Sequence, residues 1–316
     1  MTGGSYNFTG CFCSAGSKNR LHVFCVTQYA RVSALDNDSS GSFLVRHEFL
    51  IRRLHSLSGL VPVGAYMVVH LLTNATVLNG VATFQDAVDR IHSLGVVLPA
   101  VEWGFIFLPI LFHAVVGIAI IGRLPDTTHY PYRENFRYLL QRTTAWIALV
   151  FIGWHVFQMH GWLKNEWWLS QVAQPLGGAK FDPHHASTSA AAALAPLWVQ
   201  AIYAVGMLAT VYHLANGIWT AGITWGLWIS PPAQRRASVA CLIFGVLLGG
   251  VGLSAISGMT RINRPENYAG ARAVEDVRIE QHEQRQQAIE QRKEELLEHL
   301  EAADAQTASR PKPSAD

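Results

Sequence analysis

No Asp, Glu, Lys or Arg occurs between Arg53 and Asp86. The same holds from Trp103 to Gly122, Thr143 to Leu163, Pro183 to Gln234 and Ala237 to Thr260. Each stretch is long enough to cross a bilayer, which takes about 20 mostly apolar residues. In hydrocarbon every backbone polar group must be satisfied within its own segment, so such runs form helices. The pattern predicts spanning helices near 56–78, 97–122, 143–163, 196–228 and 237–258. The fourth run exceeds one span, so its helix tilts or protrudes, and its Ala-rich start at Ser189–Ala195 reads as a surface turn. The expected fold class is an all-α membrane protein, a bundle of five transmembrane helices. Composition agrees: 15% of residues are charged and 50% hydrophobic, whereas soluble domains carry about 25% charged residues. That excludes a soluble enzyme and a disordered chain. A net charge of +2 excludes a strongly basic nucleic-acid binder, so no nucleic-acid partner is expected.

Basic residues orient the bundle. Arg46, Arg52 and Arg53 precede the first span, Arg123, Arg133, Arg137 and Arg142 lie between the second and third, and Arg235 and Arg236 between the fourth and fifth. The opposite loops carry only Arg90, Lys164 and Lys180. Cytoplasmic loops are the ones enriched in Lys and Arg, so the N-terminus is expected inside and the C-terminus outside. Arg261, Arg264 and Arg272 on the outer side weaken this bias without reversing it. Trp162, Trp167 and Trp168 sit where an outer aromatic belt would lie.

The ends read as appendages to a membrane domain at 43–260. Residues 1–42 are rich in Gly, Ser, Thr and Asn and are expected to be disordered. Their longest apolar stretch, around Val23–Val26, is too short for a signal-peptide core. Three of the four cysteines fall in the first 25 residues. Cys11 and Cys13 alone make neither a disulfide framework nor a metal site. Residues 261–306 form a charged tail, expected to be a solvated helix, with an apolar stripe of Val274, Val277, Ile289, Leu296 and Leu300 too irregular for a heptad. Residues 307–316 are expected to be disordered.

The chemistry lies in four histidines inside the spans: His70, His113, His155 and His213, one on each of the first four. Ionisable residues within spanning helices are costly and usually functional. At 1.5 Å rise per residue, His70 lies ~21 Å and His155 ~18 Å from the inner ends of their helices. By the same rise, His113 and His213 lie ~21 and ~24 Å from the outer ends of theirs. In a core of about 30 Å, His70 and His155 therefore share the outer half, and His113 and His213 the inner half. Two pairs at matched depth on antiparallel helices are what bis-imidazole iron coordination requires, so each pair can hold one haem flat between helices. Gly59, Gly64, Gly117, Gly153, Gly206 and Gly217 allow the close approach this needs, though small-residue helix packing explains each glycine equally well. Arg53, His55, Ser56 and Arg142 stand where inner propionates would seek partners, though the positive-inside signal explains the arginines about as well. A proton relay or bare metal site would also use histidine, but no Asp, Glu and His cluster surrounds these four.

The segments FLIRRLHSLSGLVPVGAYMVVHLL, EWGFIFLPILFHAVVGI, LLQRTTAWIALVFIGWHVF and YAVGMLATVYHLANGIWTAGITWG together resemble the dihaem cytochrome b subunit of succinate:menaquinone reductases. This is the five-helix, single-anchor class of the succinate dehydrogenase and fumarate reductase family. The resemblance covers roughly residues 47–258. It implies an outer b haem on His70 and His155 and an inner b haem on His113 and His213. It also implies a flavoprotein subunit and an iron–sulfur subunit docked on the cytoplasmic face, and a respiratory role in the bacterial cytoplasmic membrane. Electrons would pass from the iron–sulfur subunit through the inner and then the outer haem to a quinone, expected to be menaquinone. The chain carries no dinucleotide fingerprint and no cysteine cluster for iron–sulfur centres, so the succinate site is expected on another subunit.

Glu102 is the lone carboxylate close to a span, just inside the outer end of the second helix. Either it is an interfacial carboxylate or it exchanges protons with quinone near the outer haem. Some fumarate reductases of the family place a carboxylate two residues before the fourth ligand; here that residue is Val211, which favours succinate oxidation. Two other readings remain: a dihaem anchor of another respiratory oxidoreductase, such as a formate dehydrogenase or nitrate reductase, and a haem-free transporter or scaffold whose histidines bond across helices.

Overall fold

The structure, a computed structural model, describes residues 47–122 and 133–308. The expectations for 1–42, for Arg46, Arg123, Cys11 and Cys13, and for 309–316 fall outside the described residues. The chain divides into two compact units, Met1–Arg52 and Arg53–Asp316. In the described part of the first, Arg52 pairs with Glu48 one helical turn away at 2.6 Å.

Every element among the described residues is helical. The longer ones are α1 (Glu48–Asn79), α2 (Val81–His92), α3 (Gly95–Ile121), α4 (Arg133–His160), α5 (Ala186–Ala193), α6 (Leu197–Thr224), α7 (Pro231–Ile262) and α8 (Pro265–Ala308), with short helical turns at Glu166–Trp168, Leu169–Ala173 and Pro183–His185. Four of them, α1, α3, α6 and α7, are long and apolar enough to cross a membrane. The expected third span falls in α4, whose 28 residues suffice in length. Its apolar character is diluted by Gln141, Arg142, His155, Gln158 and His160. Helix α6 packs against both α4 and α7, and α7 against α1. The outward faces are apolar: Phe105, Leu111 and Val115 on α3, and Leu242, Val246 and Leu247 on α7, are exposed. A patch of this extent on a monomer marks a surface that meets lipid or protein.

Several elements differ from expectation. Residues 79–96 contain a second helix, α2, where a loop is expected. Phe84, Gln85 and Val88 form its buried face, at the spacing of an amphipathic helix. The Ala-rich stretch is no surface turn but α5, with Ala186, Ala191 and Ala193 buried in a cluster with Val77, Phe84, Val88, Met259 and Ala271. The tail begins docked rather than solvated: Glu275 is fully buried. It accepts from the Ser187 and Thr188 backbone N–H groups at 2.7 and 3.1 Å and from the Thr188 hydroxyl at 2.5 Å. Those N–H groups belong to the first turn of α5, which has no intrahelical acceptor for them. Arg278 clamps Asp86 of α2 with two nitrogens.

Two of the spanning helices contain a wide π turn, at Gly59–Gly64 and Glu102–Phe107. Pro62 lies within the first and has no N–H to give the preceding turn, which is a standard cause of such a break. π turns occur often at functional sites, and both of these adjoin residues singled out above.

Candidate functional site

Helices α1 and α4 bring His70 and His155 together, with ring centroids 5.8 Å apart and planes at 74°. Helices α3 and α6 do the same for His113 and His213, at 6.1 Å and 85°. Three of the four imidazoles are also anchored by the far side. The His113 Nδ1–H donates to the His55 carbonyl at 2.9 Å, and the His213 Nδ1–H to the Gln141 carbonyl at 3.2 Å. His155 Nδ1 lies 3.1 Å from the Tyr203 hydroxyl. That hydroxyl spends its proton on Gln158 Oε1 at 2.7 Å, so its oxygen accepts from His155. These three rings therefore carry their proton on Nδ1 and keep the Nε2 lone pair, the arrangement of metal-binding histidine. His70 differs: Asn74 Nδ2 donates to its carbonyl at 2.7 Å and approaches Nε2 at 3.4 Å.

Glycine provides the space. A Cβ on Gly59 would collide with the His113 ring, and one on Gly206 with the Phe151 ring. Phe151 in turn stacks on His155, with centroids 5.8 Å apart. Nothing lies within 4 Å of where a Gly153 Cβ would stand.

The residues expected at the inner propionates are only partly gathered. His55 stacks flat on His113 at 4.0 Å and 14°, and Arg53 lies over Trp225 at 5.1 Å. Arg142 reaches away, donating to the Ile121 carbonyl at 3.3 Å and the Tyr138 hydroxyl at 3.4 Å. Ser56 is half-buried. Val211 packs with Met207, Leu214 and Leu248, so a carboxylate at that position would be desolvated among aliphatic side chains.

At the other end, Glu102 stands 3.9 Å from His160 Nε2 and 4.0 Å from Lys164 Nζ. Phe107 rests against His160 at 5.8 Å. His160 was not singled out from the sequence; its place at the end of a span, level with Glu102, was the available signal. Trp162 and Trp168 stack at 6.5 Å and donate their indole N–H groups to the Gly153 and Gly161 carbonyls, while Trp167 is exposed. Among the described residues no three His, Cys, Asp or Glu side chains converge as a metal site. The chemical capacity lies in the two facing imidazole pairs, each able to hold one metal centre between helices.

No protein-family model matches the chain. It is 36% identical over 211 residues to the succinate dehydrogenase cytochrome b558 subunit of Bacillus subtilis (strain 168), an alignment covering 66% of this chain and 96% of that protein. With such identity over nearly the whole of that relative, the chain belongs to the succinate dehydrogenase cytochrome b subunit family.

Proposed function

We propose that this chain anchors a succinate dehydrogenase in the membrane and carries electrons through two b haems to a quinone. The observation that carries the reading is the pair of imidazole pairs. A metal bound at about 2 Å by two imidazoles, each ring centre about 1 Å further back, needs centroids roughly 6 Å apart. The pairs stand at 5.8 and 6.1 Å. The cytochrome b558 relative and the three Nδ1–H donors support the same assignment: His70 and His155 for the outer haem, His113 and His213 for the inner. Bound haem would supply one-electron redox chemistry at these positions. The protein's own part is to hold each imidazole in one tautomer, keep water out with apolar helices, and set the spacing of the two centres.

Helix α4 completes a five-span bundle with α1, α3, α6 and α7. Its basic ends, Arg53, Arg137, Arg142, Arg235 and Arg236, face the cytoplasm of a bacterial cell, where an iron–sulfur subunit carrying a flavoprotein docks. Glu102, near the opposite end, is the carboxylate placed to exchange protons with quinone, and menaquinone is the quinone proposed. Reduction at the outer side would let the membrane potential drive the uphill electron step, worth about 2.3 kcal/mol per charge per 100 mV. Affinity purification of this chain from native membranes tests the reading. It should bring down a flavin-containing and an iron–sulfur protein, cross-linked near Arg53 and Arg235–Arg236. Cross-links to 164–195 instead, or a chain purified without either partner, would overturn it.

A further inference from the structure

A line of polar side chains runs along α4 and α6 and ends on His213. Arg137 donates to Asn216 Oδ1 through Nε at 3.2 Å and Nη2 at 2.8 Å. Asn216 Nδ2 donates to Gln141 Oε1 at 2.8 Å. Gln141 Nε2 donates to the His213 carbonyl at 3.1 Å, while the Gln141 carbonyl takes the His213 Nδ1–H at 3.2 Å. Gln141 therefore grips the histidine at both its backbone and its ring.

The direction of the line is fixed by chemistry. Guanidinium has no acceptor, so Asn216 must turn its oxygen to Arg137 and its NH2 to Gln141. Gln141 must then turn its oxygen to Asn216 and its NH2 to the His213 carbonyl. Flipping the Asn216 amide would break three of these bonds and flipping Gln141 two, which fixes both orientations. From Arg137 to the His213 carbonyl the dipoles point one way from a permanent cation, the condition under which hydrogen bonds polarise one another, while the ring is held separately, its Nδ1–H on the Gln141 main-chain carbonyl. Arg137 is itself held: Nη1 donates to Ser238 Oγ of α7 at 3.2 Å, and the guanidinium lies 3.8 Å over Trp219. Among the described residues the outer pair has no counterpart. There the line from His155 runs through Tyr203 and Gln158 to the Ala193 carbonyl and ends on a neutral group.

We propose that Arg137, Asn216 and Gln141 form a cation-terminated positioning relay that fixes the turn of α6 carrying His213 against α4 and raises the reduction potential of the inner centre independently of the outer. The inference rests on the assignment of His113 and His213 as ligands of the inner haem. Reduction adds a negative charge, which a nearby cation and its aligned dipoles favour. Interhelical hydrogen bonding alone, the ordinary use of Asn and Gln in membrane helices, would leave that potential where it is.

The test is an equilibrium redox titration of the intact complex, read in the visible haem bands, with low-temperature electron paramagnetic resonance of both low-spin haems. Asn216→Leu cuts the relay in the middle, Arg137→Met removes the cation, and Arg137→Lys restores it. The first two should keep two haems per chain and leave the outer centre unchanged. The inner reduced:oxidised ratio should fall about tenfold at a given potential, about 59 mV for a one-electron couple, with a shifted resonance for that haem alone. Arg137→Lys should recover most of the shift. Should Asn216→Leu not assemble, the Arg137→Met and Arg137→Lys pair decides. Unchanged inner titration and resonance in Arg137→Met, equal shifts at both centres, or loss of both haems would overturn the relay. A His213→Ala complex that retained its inner haem would instead overturn the ligand assignment beneath it.

Discussion

The His55 carbonyl accepts the His113 Nδ1–H at 2.9 Å while the two imidazoles lie stacked 4.0 Å apart. Helix α1 thus fixes both the tautomer and the plane of a ring carried by α3, one turn before the π segment at Gly59–Gly64. Gly59 completes the fit, since a side chain there would occupy the space of the His113 ring.

Gly59→Ala is therefore expected to displace His113. Overpacking of this kind costs about 1–3 kcal/mol. The purified complex should lose most of its inner haem and keep the outer, measured as pyridine haemochrome and by redox titration. Full inner haem content in Gly59→Ala would show that His113 has more freedom than its stacking on His55 implies.

Glu275 links the tail to the bundle. Glu275→Ala orphans two α5 backbone N–H groups and the Thr188 hydroxyl. Unsatisfied buried groups cost about 1–3 kcal/mol each, so about 3 kcal/mol of local stability should be lost, allowing for partial hydration. Trypsin should then cut at Arg272 and Arg278 several-fold faster than in the parent. Equal cleavage rates would mean that the tail is held mainly by the Arg278–Asp86 clamp.

The same region should respond to pH. His185 bridges Asp182 at 2.9 Å and Asp276 at 3.0 Å, with Arg272 on Asp276 at 3.4 Å. Burial pulls the His185 pKa down, but bonds to the two carboxylates outweigh it and raise it above 6.5. Burial likewise pushes the Asp182 pKa up, and bonds from His185 and the His184 backbone bring it below 3.8. Stabilisation from His185 is full below pH 6.5 and fades as pH rises through its raised value. That from Asp182 is full above pH 3.8 and fades as pH falls through its lowered value. Tail proteolysis should be slowest between about pH 4 and 6.5 and faster at pH 8.5, with the alkaline rise absent in His185→Gln. An alkaline rise that persists in that variant would remove His185 from the explanation.

Glu102→Gln tests the outer site. Succinate–quinone activity should fall at least tenfold, while succinate–artificial-acceptor activity and both haem spectra persist. Unchanged quinone reduction would return Glu102 to an interfacial carboxylate paired with His160 and Lys164.

Four apolar spans, α1, α3, α6 and α7, are legible because exclusion of charge is a long, redundant signal. The bounds of α4 are not, because it continues back through Arg142 and Arg137, residues that a helix tolerates and hydropathy penalises. Helix α2 escaped notice because Asp86, Asp89 and Arg90 mark it as extramembrane, although Phe84 and Val88 carry a buried face. Helix α5 is made of small residues alone, five alanines with Ser187, Thr188 and Ser189, with no periodic contrast to say which side is covered, and its partner Glu275 lies 87 residues from Thr188. The pairing of histidines could be reached by counting helical rise from each span's end. The grip of Gln141 on His213 could not, since an amide inside a span does not announce which neighbour it serves.

On the proposed function, two haems lie between fixed pairs of histidines. Haem per chain and potential, measured in each of four single His→Ala complexes, test it most directly. His70→Ala and His155→Ala should each lose the same centre, the outer one. His113→Ala and His213→Ala should each lose the other; should either fail to assemble, His→Met at the same position should keep both haems and raise the potential of the inner one alone. Loss of one common centre from His70→Ala and His113→Ala, or two haems retained in any of the four His→Ala complexes, would mean that these pairs do not each hold one haem.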